Sequence, residues 1–155
     1  MEQGSVEQGS AEQGSAAAGQ DWQERVREIG LDPGAGMGPL PDRMGVKIID
    51  ASAERVTGTM PVAGNTQPYG MLHGGASCVL AETLGSLGAA LHAGPGHGVV
   101  GIEISASHHR AAGRGEVTGV ATLLYGGRTL ASYEIVITDA AGRRVCTSRL
   151  SCLIR

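Results

Sequence analysis

Hydrophobic positions along this chain keep two different periods, and the change from one to the other marks out the elements. Over residues 75–91, Leu80, Leu84, Leu87 and Leu91 recur at spacings of four, three and four. At about 100° per residue this is one stripe of an α-helix, and such a stripe is expected to be buried. On both sides of the helix the period falls to two. Val56 and Met60 alternate with Thr57 and Thr59 in a strand over residues 55–62, and residues 46–48 read as another. After a Gly/His-rich turn at residues 94–98, residues 99–109 predict a long strand with Val100, Ile102, Ile104 and Ala106 on one face. Residues 115–125, 128–139 and 143–154 predict three more strands, the last two joined by a turn at Ala140-Ala141-Gly142. Upstream, residues 20–29 predict a short helix with Trp22, Val26 and Ile29 on one side, and the Gly/Pro-rich residues 31–45 a loop.

Four long strands after one helix imply an α+β architecture, an antiparallel sheet wrapped around a central helix. Residues 1–20 hold three E-Q-G-S copies, at Glu2, Glu7 and Glu12, with no apolar periodicity. They are expected to form a disordered low-complexity tail to one domain over residues 21–155. The 155-residue chain is 41% hydrophobic but contains no Phe and only 3% aromatics, so its core must be built from Leu, Val, Ile, Ala and Met. A net charge of −3 with no basic stripe argues against a nucleic-acid partner. The N-terminus lacks a basic start followed by an apolar run, and no apolar run reaches 18 residues, so the expectation is a soluble cytoplasmic protein without a membrane partner. Cys78, Cys146 and Cys152 form no C-x-x-C, and Cys146 and Cys152 would lie about 20 Å apart on one strand. Reduced, buried thiols are expected.

Candidate chemistry concentrates on the central helix. Glu82 is the only charged residue between Gly75 and Leu91, and it shares its side of the helix with Gly75, Cys78, Val79, Gly85, Ser86 and Ala89. A solvent face normally carries several charges, so something should approach this lone carboxylate closely. Helix-interior glycine costs about 1 kcal/mol against alanine, and close packing on the Glu82 side would explain Gly85. Just before the helix stands His73-Gly74-Gly75. A helix N-terminus offers unpaired N–H groups and the positive end of the helix dipole, and glycine leaves no Cβ in the way, which suits an oxyanion. Glu82 lies eight residues on, roughly 12 Å along the axis. Gly74 and Glu82 of one chain therefore cannot act on one carbonyl; either they are unrelated, or two copies share sites across a two-fold axis.

His73, His92, His97, His108 and His109 match no zinc spacing, and no metal or other cofactor is expected. His73 reads either as a helix cap or as a contact to substrate, and Gln67 either as a loop amide or as part of the site. Ser86, four residues after Glu82, has two partners open to it: the carboxylate or its own i−4 carbonyl. No G-x-S-x-G is present, so a serine nucleophile has no support.

The run from Gln67 to Ser86, with H-G-G, L-A-E and a Ser four residues after the Glu, resembles the hot-dog-fold acyl-CoA thioesterases of the branch that uses Glu. The similarity extends from about Val56 to Ile154 and includes V-V-G-I-E-I-S-A-S-H-H-R and I-T-D-A-A-G-R-R-V-C-T-S-R-L. It is nearest to 1,4-dihydroxy-2-naphthoyl-CoA hydrolases and to the thioesterases that clear mischarged aryl carrier protein, with 4-hydroxybenzoyl-CoA and phenylacetate-pathway thioesterases more distant. The resemblance implies Glu82 as general base or nucleophile, the Gly74 N–H as oxyanion donor, His73 bonding toward the thioester carbonyl, and Gln67 and Ser86 near the acyl group and water. It also implies coenzyme A contacts from Arg110 and from Gly127-Arg128-Thr129, and a homodimer or dimer of dimers with shared sites. A non-catalytic acyl-CoA-binding module is the alternative from another class; it would not require the carboxylate that Glu82 supplies.

Overall fold

The computed structural model describes residues 22–155, so the expected tail over residues 1–20 lies outside the described residues. Helix α1 spans residues 22–28. It is followed by a 3₁₀ turn (Pro33–Ala35), a short helix α2 (Pro39–Arg43), strands β1 (Lys47–Ala51) and β2 (Arg55–Pro61), and the long helix α3 (Gly74–Ala93). Four strands complete the chain: β3 (Val99–His108), β4 (Glu116–Gly126), β5 (Leu130–Thr138) and β6 (Arg144–Ile154). They form one six-stranded sheet in the order β1-β2-β4-β5-β6-β3, every pairing antiparallel. The sheet curves around α3, and the return from α3 carries β3 to the far edge beside β6.

The leucine stripe faces the sheet as its spacing predicts. Leu80, Leu84 and Leu87 are buried, and Leu91 is half-buried. Leu84 sits where two strands are bare: a Cβ on Gly58 of β2 or on Gly119 of β4 would come within 2.7 Å of its methyl carbons. The buried arc of α3 is wider than that stripe, however. Gly85 and Ala89, expected on the side of Glu82, face the sheet, and a Cβ on Gly85 would meet Leu150 of β6 at 2.6 Å. Gly88 is bare for the same reason, since its Cβ would lie 2.7 Å from the Tyr133 ring. Small residues let the helix settle against the strands, and dense packing against Leu, Val and Ile side chains replaces the helix propensity they give up. Tyr133, fully buried on β5, donates from its hydroxyl to the Ala53 carbonyl at 2.6 Å, and burial pushes its phenol well above the ordinary value.

Three expectations need correction. In β3, Val100 and Ile102 are exposed, while Val99, Ile104 and Ala106 pack on the core. A bulge between Gly101 and Glu103 inserts one residue, and one residue is enough to exchange the two faces of a strand. Residues 31–45 are not all loop. Asp32 caps the 3₁₀ turn through a 2.8 Å bond from the Gly34 N–H, and Pro39 opens α2, where its missing N–H costs nothing. Finally, α3 contains an 18-residue window of mean hydropathy 1.2, long and apolar enough by composition to cross a membrane. Half of that window is buried, and α3 occupies the place of the core helix.

Gly88→Ala is expected to destabilise the fold by about 2 kcal/mol, because overpacking against a rigid ring outweighs the propensity gain. Tyr133→Phe, which leaves the Ala53 carbonyl without its donor, should cost about 1 kcal/mol. Urea unfolding of both variants checks this, and a Gly88→Ala protein more stable than the parent would contradict the packing account.

Candidate active site

Glu82 projects from the side of α3 that the sheet does not cover, beside half-buried Val79, Thr83 and Ser86. Its carboxylate leans over the bulge of β3, where a Cβ on Gly101 would be 3.0 Å from Glu82 Oε1. Among the described residues no cation or hydrogen-bond donor is engaged by it. The carboxylate opens into a cavity of about 600 Å³. Val79, Thr83, Ser86 and Ala90 of α3 form one wall, residues 97–99 a second, and the segment from Ile29 to Pro41 a third. Ser86 lies beside the Cys152 thiol of β6, and among the described residues it makes no hydrogen bond to Glu82. The back-bond to an i−4 carbonyl, open to Ser86 on sequence grounds, is made instead by Thr83, at 2.7 Å from the Val79 oxygen.

The cysteines are all unpaired, Cys146 and Cys152 buried and Cys78 half-buried. Burial, with neighbouring Cys78, pushes the Cys146 thiol up to about 11. Burial raises Cys152 as well, against the hydrogen bond from Ser86 and with the nearby Glu82 charge adding to the rise. Both are therefore neutral thiols at physiological pH.

A second cleft, of about 380 Å³, lies at the N-terminus of α3. His73 is the helix cap: its Nδ1 accepts from the Gly75 N–H at 2.8 Å, which leaves Nε2 to donate. The Gly74 N–H has no partner among the described residues. Gln67 sits in a turn closed by its own N–H to the Met71 carbonyl (2.8 Å) and by the Gly70 N–H to its carbonyl (3.0 Å). Its side-chain oxygen accepts from the Tyr69 N–H, which leaves the amide nitrogen open to the cleft. Arg110 borders the same cleft, with His108 and His109. His108 was passed over on sequence as one of five histidines without a metal spacing. Its ring covers Gly74, with Nε2 2.8 Å from where a Cβ would stand. The only signal for it was its place inside the V-V-G-I-E-I-S-A-S-H-H-R run.

One chain thus holds Glu82 and Ser86 on one cleft and Gly74, Gln67 and Arg110 on another, as the eight-residue separation along α3 demands. The turn with Gly127, Arg128 and Thr129 lies at the opposite end of the helix. There His92 Nε2 meets the Gly127 carbonyl at 3.0 Å, and the Thr129 carbonyl accepts from the Ile154 N–H at 3.0 Å. With 20 residues of helix between them, about 30 Å, Arg110 and Arg128 of one chain do not converge.

Residues 69–146 match the thioesterase superfamily. The chain is 51% identical over 116 residues to the proofreading thioesterase EntH of Cronobacter turicensis, an alignment that covers 74% of this chain and 85% of that protein. A crystal structure of a Haemophilus influenzae thioesterase superposes with a TM-score of 0.73 at 36% identity, over 76% of this chain and 83% of the other. A variant thioesterase from Pseudomonas aeruginosa gives 0.74 at 32% identity, over 85% and 92%. The six-stranded wrap around one long helix is therefore a hot-dog fold, and the chain belongs to the thioesterase superfamily of thioester hydrolases. Its substrate is an acyl thioester.

The two readings of His73 separate by substitution. His73→Ala should cost about 1 kcal/mol through loss of the cap, whereas His73→Asn keeps a capping oxygen and should melt near the parent. An Asn variant that holds its melting temperature yet loses turnover assigns His73 to the substrate as well as to the cap; full turnover leaves it as a cap alone.

Proposed function

We propose that this chain hydrolyses coenzyme A thioesters of aromatic, hydroxylated acyl groups, with 1,4-dihydroxy-2-naphthoyl-CoA as the leading substrate. The observation that carries the reading is the unpaired Glu82 carboxylate at the mouth of a largely apolar cavity large enough for a ring system. Glu82 either deprotonates the water that attacks the thioester carbon, or attacks that carbon itself, expelling the coenzyme A thiolate and forming a mixed anhydride that water then hydrolyses. The Gly74 N–H holds the developing oxyanion, a contribution of roughly 3 kcal/mol for one such donor, and His73 Nε2–H and the Gln67 amide are further donors in that cleft. Ser86, lining the same cavity, supports the carboxylate or the attacking water. Arg110 and the Gly127-Arg128-Thr129 turn receive the phosphates of coenzyme A.

Because these groups are divided between two clefts, the working site takes Glu82 from one chain and Gly74 from another. The free edge of β3, with exposed Val100 and Ile102, is the surface for that pairing, and a dimer of dimers would cover more of the sheet. Cytoplasmic action is consistent with a coenzyme A substrate and with thiols kept reduced. The name of the Cronobacter relative favours a second reading, proofreading of a mischarged aryl carrier protein by the same chemistry. Hydroxybenzoyl-CoA and phenylacetyl-type esters are the remaining alternatives. A non-catalytic acyl-CoA-binding module would have no use for the free Glu82.

Steady-state hydrolysis of a panel of acyl-CoA and aryl-carrier thioesters, followed by thiol release, tests the substrate class. Glu82→Ala should lower turnover on the best ester at least 10²-fold with the fold intact; more than a tenth of the parent rate remaining would remove Glu82 from the chemistry.

Sharing of sites is tested by mixing Glu82→Ala with a variant blocked at His73 and Gly74. Random exchange in equal amounts gives heterodimers with one intact site, so activity should recover to about a quarter of the parent. Complete exchange, shown with mass-tagged chains, and no recovery would mean that each site is built within one chain.

A further inference from the structure

We infer that the segment between α1 and β1, residues 29–41, is the specificity wall of the acyl site, with Leu31, Met37 and Leu40 setting the size of acyl group accepted. The inference rests on the placement of the reaction at Glu82.

Two features make this segment a wall of the site. The cavity that holds Glu82 is bounded on one side by α3 and on another by this segment, whose Leu31, Met37 and Leu40 line it together with Val79 and Thr83. Continuity of one cavity from the carboxylate to these three side chains means that an acyl group whose carbonyl lies at Glu82 extends along them. Leu31 and Leu40 are also among the large apolar side chains left wet, at 44% and 56% exposure. An apolar ligand entering the cavity removes that surface from water, which is favourable in proportion to the area covered.

The segment is held from its ends. At the N-terminal end Trp22 and Val26 are buried in the core, and Arg25 donates to the Ala51 carbonyl from Nε at 3.1 Å and from Nη2 at 2.9 Å. At the C-terminal end Asn65 Nδ2 donates to the Met44 carbonyl at 2.8 Å, and the Val46 N–H to the Pro41 carbonyl at 3.0 Å. Between them the bonds are local: Asp42 Oδ1 accepts from the Met37 N–H at 3.0 Å, and Gly36, at φ 79°, brings the chain so close to Asp42 that a Cβ would lie 2.4 Å from Oδ1. A positive φ and that contact both require glycine. Among the described residues no backbone hydrogen bond ties residues 29–40 to α3 or the sheet, so side-chain packing alone spans the cavity. Met37, unbranched and polarizable, fits irregular apolar shapes.

The test compares selectivity rather than rate. The parent, Leu31→Ala, Leu40→Ala and Met37→Trp are assayed on two ester pairs, 1,4-dihydroxy-2-naphthoyl-CoA against benzoyl-CoA and decanoyl-CoA against hexanoyl-CoA. Leu31 and Leu40 are partly solvent-exposed, so their truncation should leave the melting temperature near the parent, and melting and oligomeric state are measured for each variant. One methylene in an apolar pocket discriminates by roughly 10-fold or more. The ratio of kcat/KM for the larger over the smaller ester should therefore change at least 10-fold in the truncated variants, and Met37→Trp should reject the larger member of each pair. Ratios within twofold of the parent in folded variants would overturn the inference. So would a loss of oligomer with unchanged ratios, since Leu31 and Leu40 would then be contacts between copies. A parent active only on the straight-chain pair would sink the aromatic reading of the function, while the wall would still be judged by the decanoyl-to-hexanoyl ratio.

Discussion

The structure depends on how closely α3 approaches the sheet. Leu84 reaches between β2 and β4 because Gly58 and Gly119 present no side chain there, while Gly85 and Gly88 yield on the helix side to Leu150 and Tyr133. Four glycines, two on each surface, bring backbone toward backbone around the middle of the helix. An apolar core without Phe has few large side chains with which to fill a wider gap, so close approach is how it reaches native packing density. The same contact sets the rotation of α3. With Leu80, Leu84, Leu87, Gly85 and Ala89 turned to the sheet, Glu82 is left facing away from it, over the β3 edge.

That edge joins the fold to the chemistry. The bulge between Gly101 and Glu103 places Gly101 beneath the Glu82 carboxylate and turns Val100 and Ile102 outward on a strand with one unpaired side. A single inserted residue thus makes room for the carboxylate and exposes apolar surface on the strand best placed to meet another copy. The two ends of α3 have separate roles: His73 closes the N-terminus without using the Gly74 N–H, and His92 supports the β4–β5 turn at the other end. Glu82 and the Gly74 N–H of one chain are thereby kept on separate clefts.

Much of this was written in the pattern of the chain. A period of 3.6 in the leucines and of two in the flanking segments determined the helix and the strands, because burial of one face is a local property of spacing. The lone Glu82 and its distance from Gly74 were equally local, being arithmetic on one helix. Contacts between elements distant in the chain were left to the tertiary structure. Gly85 looked like a clearance beside Glu82 until Leu150, 65 positions later, was brought against it; His108 looked like an unassigned histidine until β3 laid it over Gly74; and Ser86 came to lie beside Cys152 of β6. The reversed face of β3 came from a bulge, which alternation alone cannot register, and the Gly/Pro-rich residues 31–45 became a wall because both ends are tied down by Arg25 and Asn65. Sequence spacing decided where the long helix and the long strands run, whereas bulges and packing between elements decided which faces are buried and which side chains meet.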